Sequence, residues 1–124
     1  MKYLKLHPWN VSHKKAIEIQ ERLEKSIVLK SSVKNPELIA GADVSYTKKS
    51  EIFYAGVVVF KLQTMEKVEE VTANGKVGFP YIPGLLSFRE SPILLKAFAK
   101  IKSEPDVIIL DAQGIAHPRG IGLA

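Results

Sequence analysis

No cysteine occurs in this 124-residue chain, which excludes disulfide stapling, thiolate zinc ligation and cysteine nucleophiles together. The N-terminus lacks an apolar run suited to a signal peptide, and no stretch is long enough to span a bilayer. A cytoplasmic protein without membrane contact is therefore the default expectation. Internal repeats and low-complexity segments are missing as well. Acidic surplus is also missing, since the formal net charge is +5. Residues 1–62 carry eleven Lys and Arg against six acids, whereas residues 63–124 carry seven against seven. The surplus thus sits in the first half, notably at Lys2, Lys5, Lys14 and Lys15, where it either attracts polyanions or serves solubility. What is present is a hydrophobic share of 46%, which argues against disorder. The length suits one domain's worth of chain with a modest core.

Ser12 is a good N-cap for a helix running to about Lys25, with Ala16, Ile19, Leu23 and Ile27 at near-helical spacing. After Pro36, "LIAGADVSY" reads as a strand, "IFYAGVVVF" as a second and almost wholly apolar one, and "MEKVEEVT" as a half-exposed third. Short connections favour an antiparallel meander. Asn74-Gly75 is a turn signal, and "GKVGFPYIPG" reads as a loop that holds Tyr81 and Ile82 between prolines. A second helix ending near Lys102 turns Leu94, Leu95, Phe98 and Ile101 inward. Its start has two readings: Ser87 with Glu90 as a capping box, or Ser91 with Pro92 as N-cap and N1. Pro105 and Asp106 lead into "VIIL", apolar on both faces, the pattern of a central parallel strand covered by helices. Three antiparallel strands, a crossover helix and a parallel fourth strand form the opening of an α/β, ribonuclease-H-like mixed sheet.

Asp43 lies inside the first strand, where acids are disfavoured and a buried carboxylate needs a partner, either a salt bridge, backbone donors or a cation. Asp111 ends the fourth strand, where ligands of open α/β sheets gather, although a turn residue is the ordinary alternative. If strands one and four are neighbours, both acids reach one location. Two close carboxylates repel unless a cation neutralises them, and hard oxygen donors suit Mg²⁺ or Mn²⁺. Glu90 is either a third ligand or only a cap. His117 offers a proton-transfer group near neutrality or a surface imidazole. Arg119 is a forked phosphate donor or a solvated loop residue. Tyr81 suits stacking on a base or insertion into a disturbed base step, or else covers the core edge.

The strings "WNVSHKKAIEIQERL", "AGADVSY", "PYIPGLLSFRE", "PILLKAF" and "PDVIILDAQGIAHPRGIGLA" together resemble the endonuclease V family of inosine-directed repair nucleases. The resemblance runs in order along essentially the whole chain. It implies a ribonuclease-H-like fold, Mg²⁺ with Mn²⁺ able to substitute, and recognition of deoxyinosine in DNA. Cleavage is implied at the second phosphodiester 3′ to the lesion, leaving 3′-hydroxyl and 5′-phosphate ends; some members favour inosine in RNA. Position by position, Asp43 and Asp111 match metal aspartates, Glu90 the catalytic acid that leads the helix, and His117 a histidine beside the active centre. Tyr81, followed by Ile82, matches the wedge that fills the gap when a nucleotide is turned out. Backbone at Gly84 and Leu85 matches the base pocket. Two departures stand out. Ala112 replaces a common glycine, and the chain resembles only the N-terminal part of a single nuclease domain. On that likeness the sequence is expected to continue beyond Ala124, residues 1–124 alone to cleave weakly or not at all, and the protein to act as a monomer.

Overall fold

The computed structural model describes residues 1–123; Ala124, the last residue of the expected domain segment, lies outside them. Helix α1 spans His13–Glu24, and the Ser12 hydroxyl accepts from the Lys15 N–H at 3.2 Å, which satisfies one otherwise orphaned first-turn donor. Ala16 and Ile19 are buried and Leu23 is partly so, but Ile27 falls beyond the helix and is exposed. Strands β1 (Leu38–Ser45), β2 (Ile52–Lys61) and β3 (Lys67–Lys76) follow, then helix α2 (Leu86–Phe98) and strand β4 (Val107–Leu110). The sheet order is β3-β2-β1-β4, with β1–β2 and β2–β3 antiparallel and β1–β4 parallel. This is the open mixed sheet with a crossover helix expected from the sequence.

Alternation along β2 turns Phe53, Ala55, Val57 and Val59 to one face, as a period of two requires. There they meet Ile93, Leu94, Ala97 and Phe98 of α2, with Ile101 just beyond. A second apolar cluster joins Ala16 and Ile19 of α1 to Phe79, Leu85 and Phe88, with Trp9 and Ile82 at its margin. Helix α2 therefore bridges both clusters. Its first turn fixes α1 and the proline loop, while the rest holds the sheet.

Three local expectations fail. Asn74-Gly75 is no turn: it lies in β3, paired with Tyr54 and Phe53 of β2. The long ladder with β2 outweighs local turn chemistry, and Gly75 serves close packing. A Cβ there would stand 3.0 Å from Ile93 Cδ1 and 2.8 Å from Lys96 Nζ. Helix α2 uses neither expected cap. Leu85 is its N-cap without a side-chain bond, and Ser87, Glu90, Ser91 and Pro92 all lie inside the helix. Burial of Leu85 and Phe88 in the second cluster sets the start, so the Glu90 carboxylate is left for other partners. Strand β4 is an edge of the sheet among the described residues, with Ile108 40% and Ile109 56% exposed, not the covered central strand that its composition suggested.

The chain after α2 is tied down by an acid. Glu69 of β3 accepts from the Lys102 and Ser103 N–H groups, both at 2.9 Å, and from the Ser103 hydroxyl at 2.6 Å. These bonds, the hydroxyl's above all, hold its carboxyl down from 4.5 to about 2. A depressed carboxyl contributes stability above its unfolded value and loses it as pH falls through the folded one. Glu69→Gln should therefore lower the melting temperature at pH 6–7. That deficit should shrink steadily as pH drops from 4.5 towards about 2 in melts followed by circular dichroism.

Candidate metal and nucleic-acid site

The β1–β4 ladder pairs Ala42 with Leu110 as its last step. Asp43 is the next residue of β1 and Asp111 the first residue past the end of β4, so the register brings the two acids to one end of adjacent parallel strands. Both are exposed. Asp43 accepts from the Val44 N–H at 2.8 Å through Oδ1. The expectation that Asp43 is buried and in need of a partner is thus not met, because solvent already carries its charge.

Glu90 projects from the second turn of α2 and is partly buried. Burial pushes its carboxyl above the usual range, the negative charge of Asp43 pushes it further, and the neighbouring Arg89 opposes both. The helix and the strand therefore deliver two acids that repel one another. The donor set suits a hard divalent cation, since carboxylate oxygens are what Mg²⁺ takes. Among the described residues, however, no three acidic or imidazole groups converge into a formed metal cage. Asp43, Glu90 and Asp111 supply fitting chemistry in an open arrangement.

The sign of the Glu90 shift carries a prediction. A raised carboxyl favours the folded state below its unfolded value of 4.5, and that advantage is lost as pH rises through the folded value. Glu90→Gln should accordingly stabilise the protein at pH 7. Solvent screening of this partly exposed group keeps the gain below about 1 kcal/mol. Urea melts at pH 7 and pH 4 should show the gain at the higher pH alone.

His117 occupies a different place from the acids. It is 7% exposed, at the end of the 3₁₀ turn η1 (Gly114–Ala116). The Arg119 N–H donates to its Nδ1 at 3.0 Å, and its Nε2 lies 2.8 Å from the Gly84 carbonyl oxygen. Only the neutral tautomer protonated at Nε2 satisfies both contacts. Both ring nitrogens are thus committed to main chain, which makes His117 a latch between two loops. Arg119 also faces inward. Its Nε donates to Gln20 Oε1 at 2.6 Å and its Nη2 to the Gly84 carbonyl at 2.8 Å, so two of the five N–H donors of a guanidinium are spent inside the protein.

Tyr81 stands 68% exposed on the proline loop, which removes the core-edge alternative. The Arg89 guanidinium lies 5.8 Å from its ring and 5.2 Å from the Phe53 ring, within cation–π range. The same guanidinium donates to the Phe79 carbonyl at 3.2 Å. Arg89 thereby ties the exposed tyrosine to the core one residue before Glu90. Ile82 is half-buried against the second cluster, and the Leu85 side chain is fully buried, so Leu85 offers a ligand only its backbone. Gly84 has φ +81°, in the region that favours glycine.

Beside Gly84 opens a cavity of about 160 Å³ whose lining includes Gln20, Gly84, Ser87, Ala112, Gln113 and His117. Drug-sized sites occupy roughly 300–1,000 Å³, so this one suits a single planar ring system. Ala112 lies in its wall without a positive φ, so the alanine costs no backbone strain. Sequence reasoning missed two residues here. Gln20 sits four positions after Ala16 on the inward face of α1, a spacing that marks it as buried. Arg89 directly precedes the singled-out Glu90.

The chain also resembles known proteins. The endonuclease V family model matches residues 21–124. Endonuclease V of Dehalococcoides mccartyi is 43% identical over the whole of this chain, which spans 56% of that protein. The crystal structure of the Bacillus subtilis protein superposes with a TM-score of 0.90 at 27% identity, covering 99% of this chain and 54% of that one. Endonuclease V of Ciona intestinalis, solved with DNA containing an inosine followed by a ribo-adenosine, gives a TM-score of 0.79 at 28% identity, covering 89% and 49%. This chain thus spans about half the length of its relatives. With the family model matching most of it, and both relatives and solved structures agreeing, the chain belongs to the endonuclease V family.

Proposed function

We propose that residues 1–124 form the N-terminal part of a single nuclease domain that hydrolyses DNA beside deoxyinosine with Mg²⁺ or Mn²⁺. The observation that carries this reading is the delivery of Asp43 and Asp111 to one strand end by the β1–β4 register, with Glu90 close enough to feel the Asp43 charge. Those three carboxylates would hold the cation. When bound, it would polarise water and offset charge gathering on the scissile phosphate. Tyr81, exposed on a stiff loop, fills the space that an extruded nucleotide leaves, and the cavity beside Gly84 receives the base. Hypoxanthine differs from guanine by lacking a 2-amino group, so a close-fitting wall discriminates between them. Basic residues of the N-terminal half contact phosphates and add affinity without base identity. His117 holds the cavity wall and transfers no proton in this scheme.

The test uses an end-labelled duplex with one deoxyinosine and millimolar Mg²⁺. The chain is assayed alone and extended by the C-terminal portion of the D. mccartyi relative. The extended protein should nick the second phosphodiester 3′ to the lesion, leaving a 3′-hydroxyl, and the 124-residue chain should do so weakly or not at all. Equal cutting of undamaged duplex by the extended protein would defeat the proposal. The ribo-adenosine after the inosine in the Ciona complex favours a second reading, an inosine-directed ribonuclease. Competition between inosine-containing RNA and DNA strands decides between the two.

A further inference from the structure

Three separate segments meet at one backbone atom. The Gly84 carbonyl oxygen accepts from Gln20 Nε2 of α1 at 3.0 Å, from His117 Nε2 at 2.8 Å and from Arg119 Nη2 at 2.8 Å. A carbonyl offers two lone pairs, so this oxygen is saturated and unavailable to a ligand. What it does instead is fix the wall of the cavity of about 160 Å³.

Gln20 is the element of this node with no assigned purpose. It is 4% exposed, and burying a polar amide is unfavourable unless its groups are bonded. Both ends are bonded. Nε2 donates to Gly84, while Oε1 accepts from Arg119 Nε at 2.6 Å. One planar amide thereby holds the proline loop and the 3₁₀ loop at a set separation, and an amide alone supplies donor and acceptor together at this length. Glutamate would keep the acceptor for Arg119 but turn a second oxygen on the Gly84 carbonyl. Methionine would fill the space and supply neither bond.

We infer that Gln20 is the positioning residue that sets the width of this cavity, and hence how sharply the protein separates hypoxanthine from guanine. It acts through Gly84 and Arg119. This inference rests on the proposed inosine-directed function. With the amide gone, the loops separate, the wall recedes, and the room that excludes a 2-amino group is no longer withheld.

The experiment measures binding of the purified 124-residue chain to a fluorescent duplex carrying one deoxyinosine and to the same duplex carrying deoxyguanosine, by anisotropy in Ca²⁺, which suits carboxylate oxygens. Wild type should prefer the deoxyinosine duplex. Gln20→Glu and Gln20→Met should each cut that preference about tenfold, the scale of one lost buried hydrogen bond, while affinity for the guanosine duplex holds or rises. Hydrogen exchange should quicken in residues 79–85 and stay unchanged in β1 and β2. Should Gln20→Met fail to fold, Gln20→Glu, which exchanges only the amide nitrogen for oxygen, carries the test. A lower melting temperature with an unchanged inosine-to-guanosine ratio means a purely structural amide and overturns the inference. A wild type with no preference overturns the functional reading and the inference with it.

Discussion

Asp43→Asn, made in the chain extended by a relative's C-terminal portion, is expected to cut Mg²⁺-dependent nicking of a deoxyinosine duplex by about 10²–10⁴-fold. A bound cation supplies several kcal/mol of charge stabilisation, and each 1.36 kcal/mol is tenfold in rate. Asparagine keeps the shape and an oxygen that can still accept from Val44 N–H, the one side-chain bond Asp43 makes among the described residues. It removes the charge that pushes the Glu90 carboxyl up. Stability should therefore stay level or rise slightly, which separates loss of activity from loss of structure. Asp111→Asn should behave alike, since Asp111 is exposed beyond the end of β4. Single-turnover rates alongside urea melts give both quantities. A near wild-type rate in either variant would remove these two acids from the centre of the chemistry.

How far the sequence reveals this molecule depends on whether local or distant forces decide each feature. Helix α1 was legible because Ser12 and the Ala16, Ile19, Leu23 stripe are local signals that the tertiary structure respects. Strand β2 was legible because its alternation is nearly complete. The start of α2 was not. Four polar or proline cues in its first turns lose to burial of Leu85 and Phe88 against a helix some 70 residues earlier, and a reader of local motifs has no access to that contact. Asn74-Gly75 misleads for the same reason, since the partner that makes it strand is β2. For "VIIL" the limit is different. Composition reports that both faces are apolar but not which neighbours cover them, and among the described residues the strand lies at an edge.

The candidate site divides in the same way. The acids stood out as polar residues at strand ends and beside a helix, and the parallel register then aligns two of them. His117 and Arg119 were legible as residues of interest, but not in their employment. Their partners are a glycine carbonyl more than 30 positions away and a glutamine about 100 positions away. Gln20 itself was hidden because a lone glutamine in an apolar stripe carries no motif. Only the closing of the chain gives it two partners.

Gly84→Ala should destabilise the protein strongly. At φ +81° an L side chain meets its own backbone, at roughly 1–2 kcal/mol. The added methyl carbon would also stand 2.7 Å from Arg119 Nη2 and 3.5 Å from His117 Nε2. A free arginine would swing aside, but this one is held at Nε by Gln20 and at Nη2 by the Gly84 carbonyl. Moving it gives up both bonds, each worth about 0.5–1.5 kcal/mol net. The combined destabilisation is about 2–5 kcal/mol, a large share of a small domain's stability. Gly56→Ala provides the contrast: a Cβ there meets nothing within 4 Å, the residue lies mid-strand in β2, and alanine should gain roughly 0.5–1 kcal/mol. Urea unfolding of both variants beside wild type measures the difference. If the two alanines proved equally harmless, the three-donor carbonyl would not be a point of constraint, and the cavity wall would have to be held by something other than Gly84.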